Sequence, residues 1–223
     1  MTFSILARDP DTGAIGGAAA TGSLCVGGWV LRGQLGVGMS ASQGAAPSTF
    51  WGEDVLGVMA EGAAAKLAID QVIAQDSGRA WRQLSVLGLT GDGAAFTGDK
   101  NTEFHGAQAF EGGIAAGNLL KNDAVLPALI EGFRSARGAF SEQLLAGLFA
   151  AQAAGSDARG LQSAALLVLH PDHAPLSLRI DLSDAPLEDL AELLKRATTG
   201  DYGAWAAQVP CFSNPLRVLD DDT

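Results

Sequence analysis

Cysteine is scarce: the 223 residues hold only Cys25 and Cys211, far apart in the chain. Two thiols argue against a disulfide framework, and a zinc site needs more ligands than they supply. Both are expected reduced and buried, Cys25 as an inert packing residue in the apolar run Ser23-Leu24-Cys25-Val26. Charge is sparse too, at 17 % of residues, and basic charge is sparser. The chain has 14 Lys plus Arg against 25 Asp plus Glu, a formal net charge of -11. That balance argues against nucleic acid or an anionic membrane as partner and leaves small molecules and proteins. A long apolar run is missing from the start, where MTFSILARDPDTG meets a charge and a proline within ten residues. With no secretory h-region and no membrane span there, the expected compartment is the cytoplasm. Also missing are the phosphate-binding Gly-x-x-x-x-Gly-Lys-Ser/Thr, the zinc-binding His-Glu-x-x-His and the Gly-x-Ser-x-Gly elbow. Gly16-Gly17 and Gly27-Gly28 are too loose to be cofactor loops, so neither metal nor organic cofactor is expected.

What is abundant is small and apolar. A hydrophobic fraction of 48 % is enough for a substantial core and excludes a disordered chain, and the length suits one domain over residues 1–223 with an irregular tail from about residue 200. Phe3, Ile5 and Ala7 alternate with Ser4, Leu6 and Arg8 as in a strand, and the Asp-Pro-Asp-x-Gly turn returns the chain into a second strand over 14–21. A third strand is expected at 34–42, its glycine-lined face implying close approach by another backbone. Helical spacing follows at 51–61 and 63–75, then a hairpin over 81–97 through Thr90-Gly91-Asp92-Gly93, and short strands at 107–110 and 113–116. An antiparallel helix pair is expected at 123–136, capped by Asn122, and 141–154, capped by Ser141. Strands at 163–169 and 176–182 precede a last helix at 186–197 with proline in its first turn. This order suits an α+β fold of two stacked antiparallel sheets with helices on both outer faces.

For chemistry, the three histidines offer little. His170 and His173 read as solvated residues of a hairpin tip, while His105 lies in a loop of functional look and stays a candidate substrate contact. Thr2 is more informative, because a small residue behind an initiator methionine is normally uncovered by methionine removal. It then carries a hydroxyl and a free amine, nucleophile and base on one residue, and the amine's ordinary pKa of about 8 lets it act near neutrality.

A set of motifs bears on this. The start MTFSILARDPDTGAIGGAAA, then Gly36-Val37-Gly38, Ser42-Gln43, Ala95-Phe96-Thr97-Gly98, Gly117-Asn118-Leu119-Leu120 and Gly155-Ser156-Asp157-Ala158-Arg159-Gly160-Leu161-Gln162-Ser163-Ala164-Ala165, resembles the domain-of-unknown-function 1028 family from Met1 to about Asp181. That family in turn resembles the N-terminal nucleophile hydrolases. The resemblance implies a four-layer αββα sandwich, with Thr2 as nucleophile at the free end of the first strand, cleaving a carbon–nitrogen bond in a small amide. There are departures. Many relatives carry Ser-Lys where this chain has Thr21-Gly22-Ser23, so a lysine able to lower the nucleophile's pKa is missing, with Arg32 the one substitute in view. Relatives also tend to follow Thr-Gln with an Asn-Pro-rich loop, where this chain reads Ser42-Gln43-Gly44-Ala45-Ala46-Pro47.

Within that reading Asn118 is either an oxyanion donor or a turn residue in left-handed geometry. Asp157 reads as half of an ion pair with Arg159 or as the residue that orients the terminal amine, and Arg159 as structural or as a bidentate site for a substrate carboxylate. Ser42, Gln43, Gln162 and Ser163 reach the pocket or are satisfied by backbone. Trp29 and Trp51 line a cleft or belong to core or interface. The expectation is an amidohydrolase acting on a small-molecule substrate and forming a homo-oligomer. Its rival is a non-catalytic ligand-binding or oligomer-forming member of the same fold.

Overall fold

The computed structural model describes residues 2–102 and 104–219. Met1, whose removal the Thr2 reading requires, lies outside the described residues. Alternation builds the first strand, β1 (Thr2–Arg8): Phe3, Ile5 and Ala7 enter one apolar layer, while Leu6, on the same face as Thr2 and Ser4, enters another. The turn at residues 9–13 is held by Thr12 Oγ1 donating to Asp9 Oδ2 at 2.7 Å, and it returns the chain into β2 (Ile15–Thr21), antiparallel to β1.

The remaining elements follow as α1 (Val26–Trp29), β3 (Leu31–Gln34), β4 (Gly38–Gly44), α2 (Thr49–Ala60), α3 (Ala65–Ala74), β5 (Arg82–Gly88), β6 (Gly93–Thr97), β7 (Gly106–Phe110) and β8 (Gly113–Asn118). After them come α4 (Val125–Ser135), α5 (Phe140–Ala154), β9 (Ser163–His170), β10 (His173–Ile180), α6 (Pro186–Thr198) and α7 (Gly200–Ala206). The strands form a six-stranded sheet, β10-β9-β2-β1-β8-β7, and a four-stranded sheet, β3-β4-β5-β6. Every pairing is antiparallel. The α4, α5 and α6 residues Leu129, Leu144, Leu148 and Leu190 pack on the outer face of the larger sheet. On the smaller sheet Trp51, Val55 and Ile69 of α2 and α3 pack on Leu84 and Val86. Leu6, Met39, Leu87 and Ile114 fill the space between the sheets. Each wholly buried leucine contributes about 1.5–3 kcal/mol relative to exposure. The expected four-layer αββα sandwich is therefore the observed fold.

Several boundaries differ from expectation. The strand expected at 34–42 is two strands, because Gly36 takes φ 81° in a turn closed by Val37 N–H to the Gln34 carbonyl at 3.0 Å. The close approach expected there is real: a Cβ on Gly38 would lie 2.4 Å from the Leu87 carbonyl oxygen. Ser141 is not a cap, since α5 begins at Phe140 and the Glu142 carboxylate reaches back to the Ala139 N–H at 2.9 Å. Asn122 sits before α4, accepting the Ala124 N–H at 2.9 Å and donating to the Ala154 carbonyl at the end of α5. The tail expected from about residue 200 opens with a helix, α7, which Gly200 at φ 63° sets off from α6.

Candidate functional site

The register of the larger sheet places Thr2 opposite Asn118, and the next β1 pair, Phe3 with Ala20, puts Thr21 beside Thr2 on the other flank. Thr21 in turn pairs with Ser163. Ser163, Thr21, Thr2 and Asn118 thus form a row across four adjacent strands, at one end of the sheet and on its inner face. In the smaller sheet Gln43 pairs with Gln83 and Gln83 with Thr97, a second polar row at the same end. The two rows meet across the gap, because Gln43 Nε2 donates to the Thr2 carbonyl at 3.4 Å and Asn118 Nδ2 to Gln83 Oε1 at 3.3 Å. Moving inward, the next level holds Ser4 and Ser85, and the one after it Leu6 and Leu87. The inter-sheet space therefore changes from amide and hydroxyl to hydrocarbon within two steps along a strand.

Gln83 organises the polar end. It is wholly buried, and its Nε2 lies 2.8 Å from Thr97 Oγ1, 3.0 Å from the Gly106 carbonyl and 2.9 Å from the Gly117 carbonyl. Its Oε1 accepts from Gln43 Nε2 at 2.7 Å as well as from Asn118. Thr2 Oγ1 donates to Thr21 Oγ1 at 3.3 Å. Four buried oxygens of this region, Ser4 Oγ, Ser85 Oγ, Gln43 Oε1 and Asn118 Oδ1, have no partner among the described residues. An unmet buried polar atom costs about 1–3 kcal/mol, so a cluster of them beside one threonine marks a place built for something other than stability.

The loop before β9 closes the end of β2. Asp157, with its carboxylate out of solvent, accepts the Gly22 N–H at 2.6 Å, the Arg159 N–H at 2.8 Å, and the Arg159 guanidinium at 3.2 Å through Nη2. Arg159 Nη2 also donates to Ser23 Oγ at 3.1 Å. Leu120 and Asp157 form an antiparallel bridge, tying this loop to the segment after Asn118. On either side of that bridge stand two non-glycine residues with positive φ, Leu119 at 55° and Ser156 at 62°. Leucine rarely adopts this geometry, and such strain gathers at functional sites.

A family model described as Family of unknown function (DUF1028) matches residues 2–190. The chain belongs to the DUF1028 family. A crystal structure of protein SPO2555 from Silicibacter pomeroyi, itself assigned to DUF1028, is similar with a TM-score of 0.96 and 56 % identity, covering 100 % of this chain and 97 % of that one. Anbu (ancestral beta-subunit) from Yersinia bercovieri is similar at a TM-score of 0.40 and 13 % identity over 93 % of this chain and 98 % of that one. No curated protein matches. The DUF1028 match takes in both polar rows and the Asp157 loop, and it ends within α6.

Of the residues singled out in this DUF1028 sequence, the structure brings Thr2, Gln43 and Asn118 together, with Ser163 two strands from Thr2 in the same row. Ser163 is spent on backbone, donating to the Ser23 carbonyl at 2.7 Å and accepting the Val26 N–H at 3.1 Å. Gln162 is exposed and links strands through its main chain, its N–H donating to the Thr21 carbonyl at 2.9 Å. Ser42 faces the other way: one residue from Gln43, its hydroxyl donates to the Ser48 carbonyl at 2.6 Å on the α2 side. His105 is exposed just before β7, its Nδ1 against the Thr102 carbonyl. Asn118 is strand rather than turn, and the left-handed residue is its neighbour Leu119. The charge expected from Arg32 is also elsewhere, since Arg32 pairs with Glu53 at 3.0 Å and donates to the Leu31 and Gly28 carbonyls. Trp51 is core against Phe96, whereas Trp29 is exposed. Cys25 is only half-buried, at φ 60° before α1.

Thr21, Gln83, Thr97, Ser4 and Ser85 were missed. The one signal for them was polar residues at alternate positions inside apolar strands, as in Gln83-Leu84-Ser85-Val86, and that signal gains meaning only once the second sheet is opposite. A cleft of about 1170 Å³ lies at the other end of β1, between the Arg8–Asp9 turn, His170, His173 and the Tyr202–Trp205 face of α7. Burial, and then His173, hold the His170 pKa below its ordinary value. This cleft does not contain Thr2. Among the described residues no cluster of three or more His, Cys, Asp or Glu can hold a metal, and no helix is long and apolar enough to cross a membrane.

Proposed function

We propose that this chain is an N-terminal nucleophile amidohydrolase that cleaves a C–N bond in a small amide, in the cytoplasm, with Thr2 as nucleophile after removal of Met1. One observation carries the reading: Thr2 presents its hydroxyl at an end of the inter-sheet space lined by buried amides and hydroxyls. In the reaction the Thr2 Oγ1 proton passes to the residue's own α-amine as Oγ1 bonds to the substrate carbonyl carbon. The C–N bond then breaks, and the leaving nitrogen takes the proton back from the α-ammonium. Water attacks the resulting ester, giving its proton through the same amine to Oγ1 and releasing the acid. No cofactor is needed for these steps. The Asp157–Arg159 loop holds Gly22, the residue after Thr21, and so keeps the flank of the site in place.

The test is intact mass of the untagged protein, then treatment with a β-lactone. Loss of one methionine and acylation of Thr2 are expected, with Thr2→Ala unlabelled and at least about 10³-fold less active on any amide that the wild type turns over. Retained Met1, or full turnover by Thr2→Ala, overturns the proposal. The rival, a non-catalytic binding or oligomer-forming member of the fold, is favoured by one observation, that Thr2 is only 6 % exposed. Absence of labelling at a demonstrably free Thr2 would select it.

A further inference from the structure

We propose that Gln83 is a positioning residue that turns the Asn118 and Gln43 amides so that both carbonyl oxygens receive the α-amino group of Thr2. This role rests on the reading of Thr2 as the first residue of the working protein. Each end of Gln83 is fixed by what surrounds it. The Gly106 and Gly117 carbonyls, 3.0 and 2.9 Å from Nε2, only accept, so the end of Gln83 facing them has to be the NH2. Oε1 is then an acceptor, and the two amides within its reach, Gln43 at 2.7 Å and Asn118 at 3.3 Å, must turn their own NH2 groups toward it. Gln43 Oε1 and Asn118 Oδ1 are thereby directed away from Gln83. Both are buried and without a donor among the described residues.

The two orphans call for N–H groups, and both belong to amides placed next to Thr2. Asn118 is the cross-strand partner of Thr2, and Gln43 Nε2 already donates to the Thr2 carbonyl. A neutral primary amine has two N–H bonds and one lone pair. Given to two amide oxygens, the N–H bonds fix the rotation of the amine and leave the lone pair as its one free direction, available to take the Oγ1 proton. Asn118 therefore acts as an acceptor toward the amine, and one N–H of its Nδ2 is spent on Gln83 rather than on an oxyanion. The charged groups on the neighbouring elements are committed elsewhere: Asp157 to Gly22 and Arg159, Arg82 to Asp76 at 2.8 Å, and His105 to the Thr102 carbonyl.

The experiment uses the full chain released from a cleavable N-terminal fusion, so that Thr2 is first whatever happens to Met1 in the cell. The pKa of the Thr2 α-amine is read by ¹⁵N NMR titration, with folding checked by circular dichroism. Removing an acceptor destabilises the ammonium, so Asn118→Leu and Gln43→Met are expected to lower that pKa by about half a unit or more, and Asn118→Asp to raise it. Gln83→Met, which leaves both acceptors in the chain but frees them to rotate, is expected to lower it as well. A purely structural role would lower the melting temperature without opposite shifts from the two Asn118 variants. Folded Asn118→Leu and Gln43→Met proteins whose amine titrates like the wild type would overturn the proposal. If Gln83→Met fails to fold, the Asn118 and Gln43 variants, on two different sheets, decide the matter. Should the shifts appear while the β-lactone leaves Thr2 unlabelled, the hydrolase reading falls and the amide cradle stands.

Discussion

Asp157 carries a carboxylate into a place where its side chain is out of solvent, and what keeps it there is mostly backbone. The Gly22 and Arg159 N–H groups donate to it directly, while the guanidinium that pairs with it is 45 % exposed. Water screens the guanidinium but not the buried Gly22 bond, so the two partners are not equivalent. We expect Asp157→Ala to cost about 2–4 kcal/mol in urea unfolding, because the buried Gly22 N–H and the part-buried Arg159 N–H lose a charged acceptor, and Arg159→Ala to cost about 1 kcal/mol. Equal midpoints for the two variants would show that the pair, rather than the carboxylate, holds the loop. At this scale Thr2 stood out by its place behind Met1, and Asn118 and Asp157 by motifs that resemble the family, each with a structural reading beside the functional one. Gln83 and Thr21 were not, because their meaning lies in the strand or sheet opposite.

At the scale of elements, the helix pair over the larger sheet meets through glycine. A Cβ on Gly132 of α4 would stand 2.4 Å from the Ala150 Cβ of α5, and one on Gly147 of α5 would be 2.9 Å from the Leu129 carbonyl oxygen. Alanine is better than glycine in a helix by about 1 kcal/mol, but forcing two packed helices apart costs about 1–3 kcal/mol. Gly132→Ala is therefore expected to lower the melting temperature. Gly57→Ala in α2, with nothing within 4 Å of the added methyl, is expected to raise it by the propensity alone. A gain from both would mean that α4 and α5 yield freely. Hairpins were the elements read best, because Asp-Gly turns and alternation are local. The split of β3 from β4 was hidden by apolar residues on both sides of Gly36, and the helix start at Phe140 by a serine that looks like a cap.

For the whole molecule, the larger sheet has helices on its outer face and the smaller sheet packs on its inner one, yet apolar side chains remain outside. Tyr202 and Trp205 of α7 and Phe212, Leu216 and Val218 after it are at least half exposed, and Phe50, Leu24 and Trp29 are similarly exposed elsewhere. Burying such surface is worth about 25 cal/mol per Å², and apolar patches of this kind mark association surfaces. A homo-oligomer is proposed on that ground, and light scattering is expected to give a mass of at least two chains. A clean monomer at tens of micromolar would remove it.

Composition and local pattern by themselves determined the class of this protein: an acidic, cysteine-poor chain whose alternating and helical stretches suit two stacked sheets between helices. These are properties of neighbours along the chain, so they survive in one dimension. Tertiary structure alone decided which polar residues matter. The register that sets Thr2 opposite Asn118, and the stacking that lowers Gln43 and Gln83 onto that row, bring together residues 2, 43, 83 and 118, and hydrogen-bond partners so far apart in sequence leave no periodic trace.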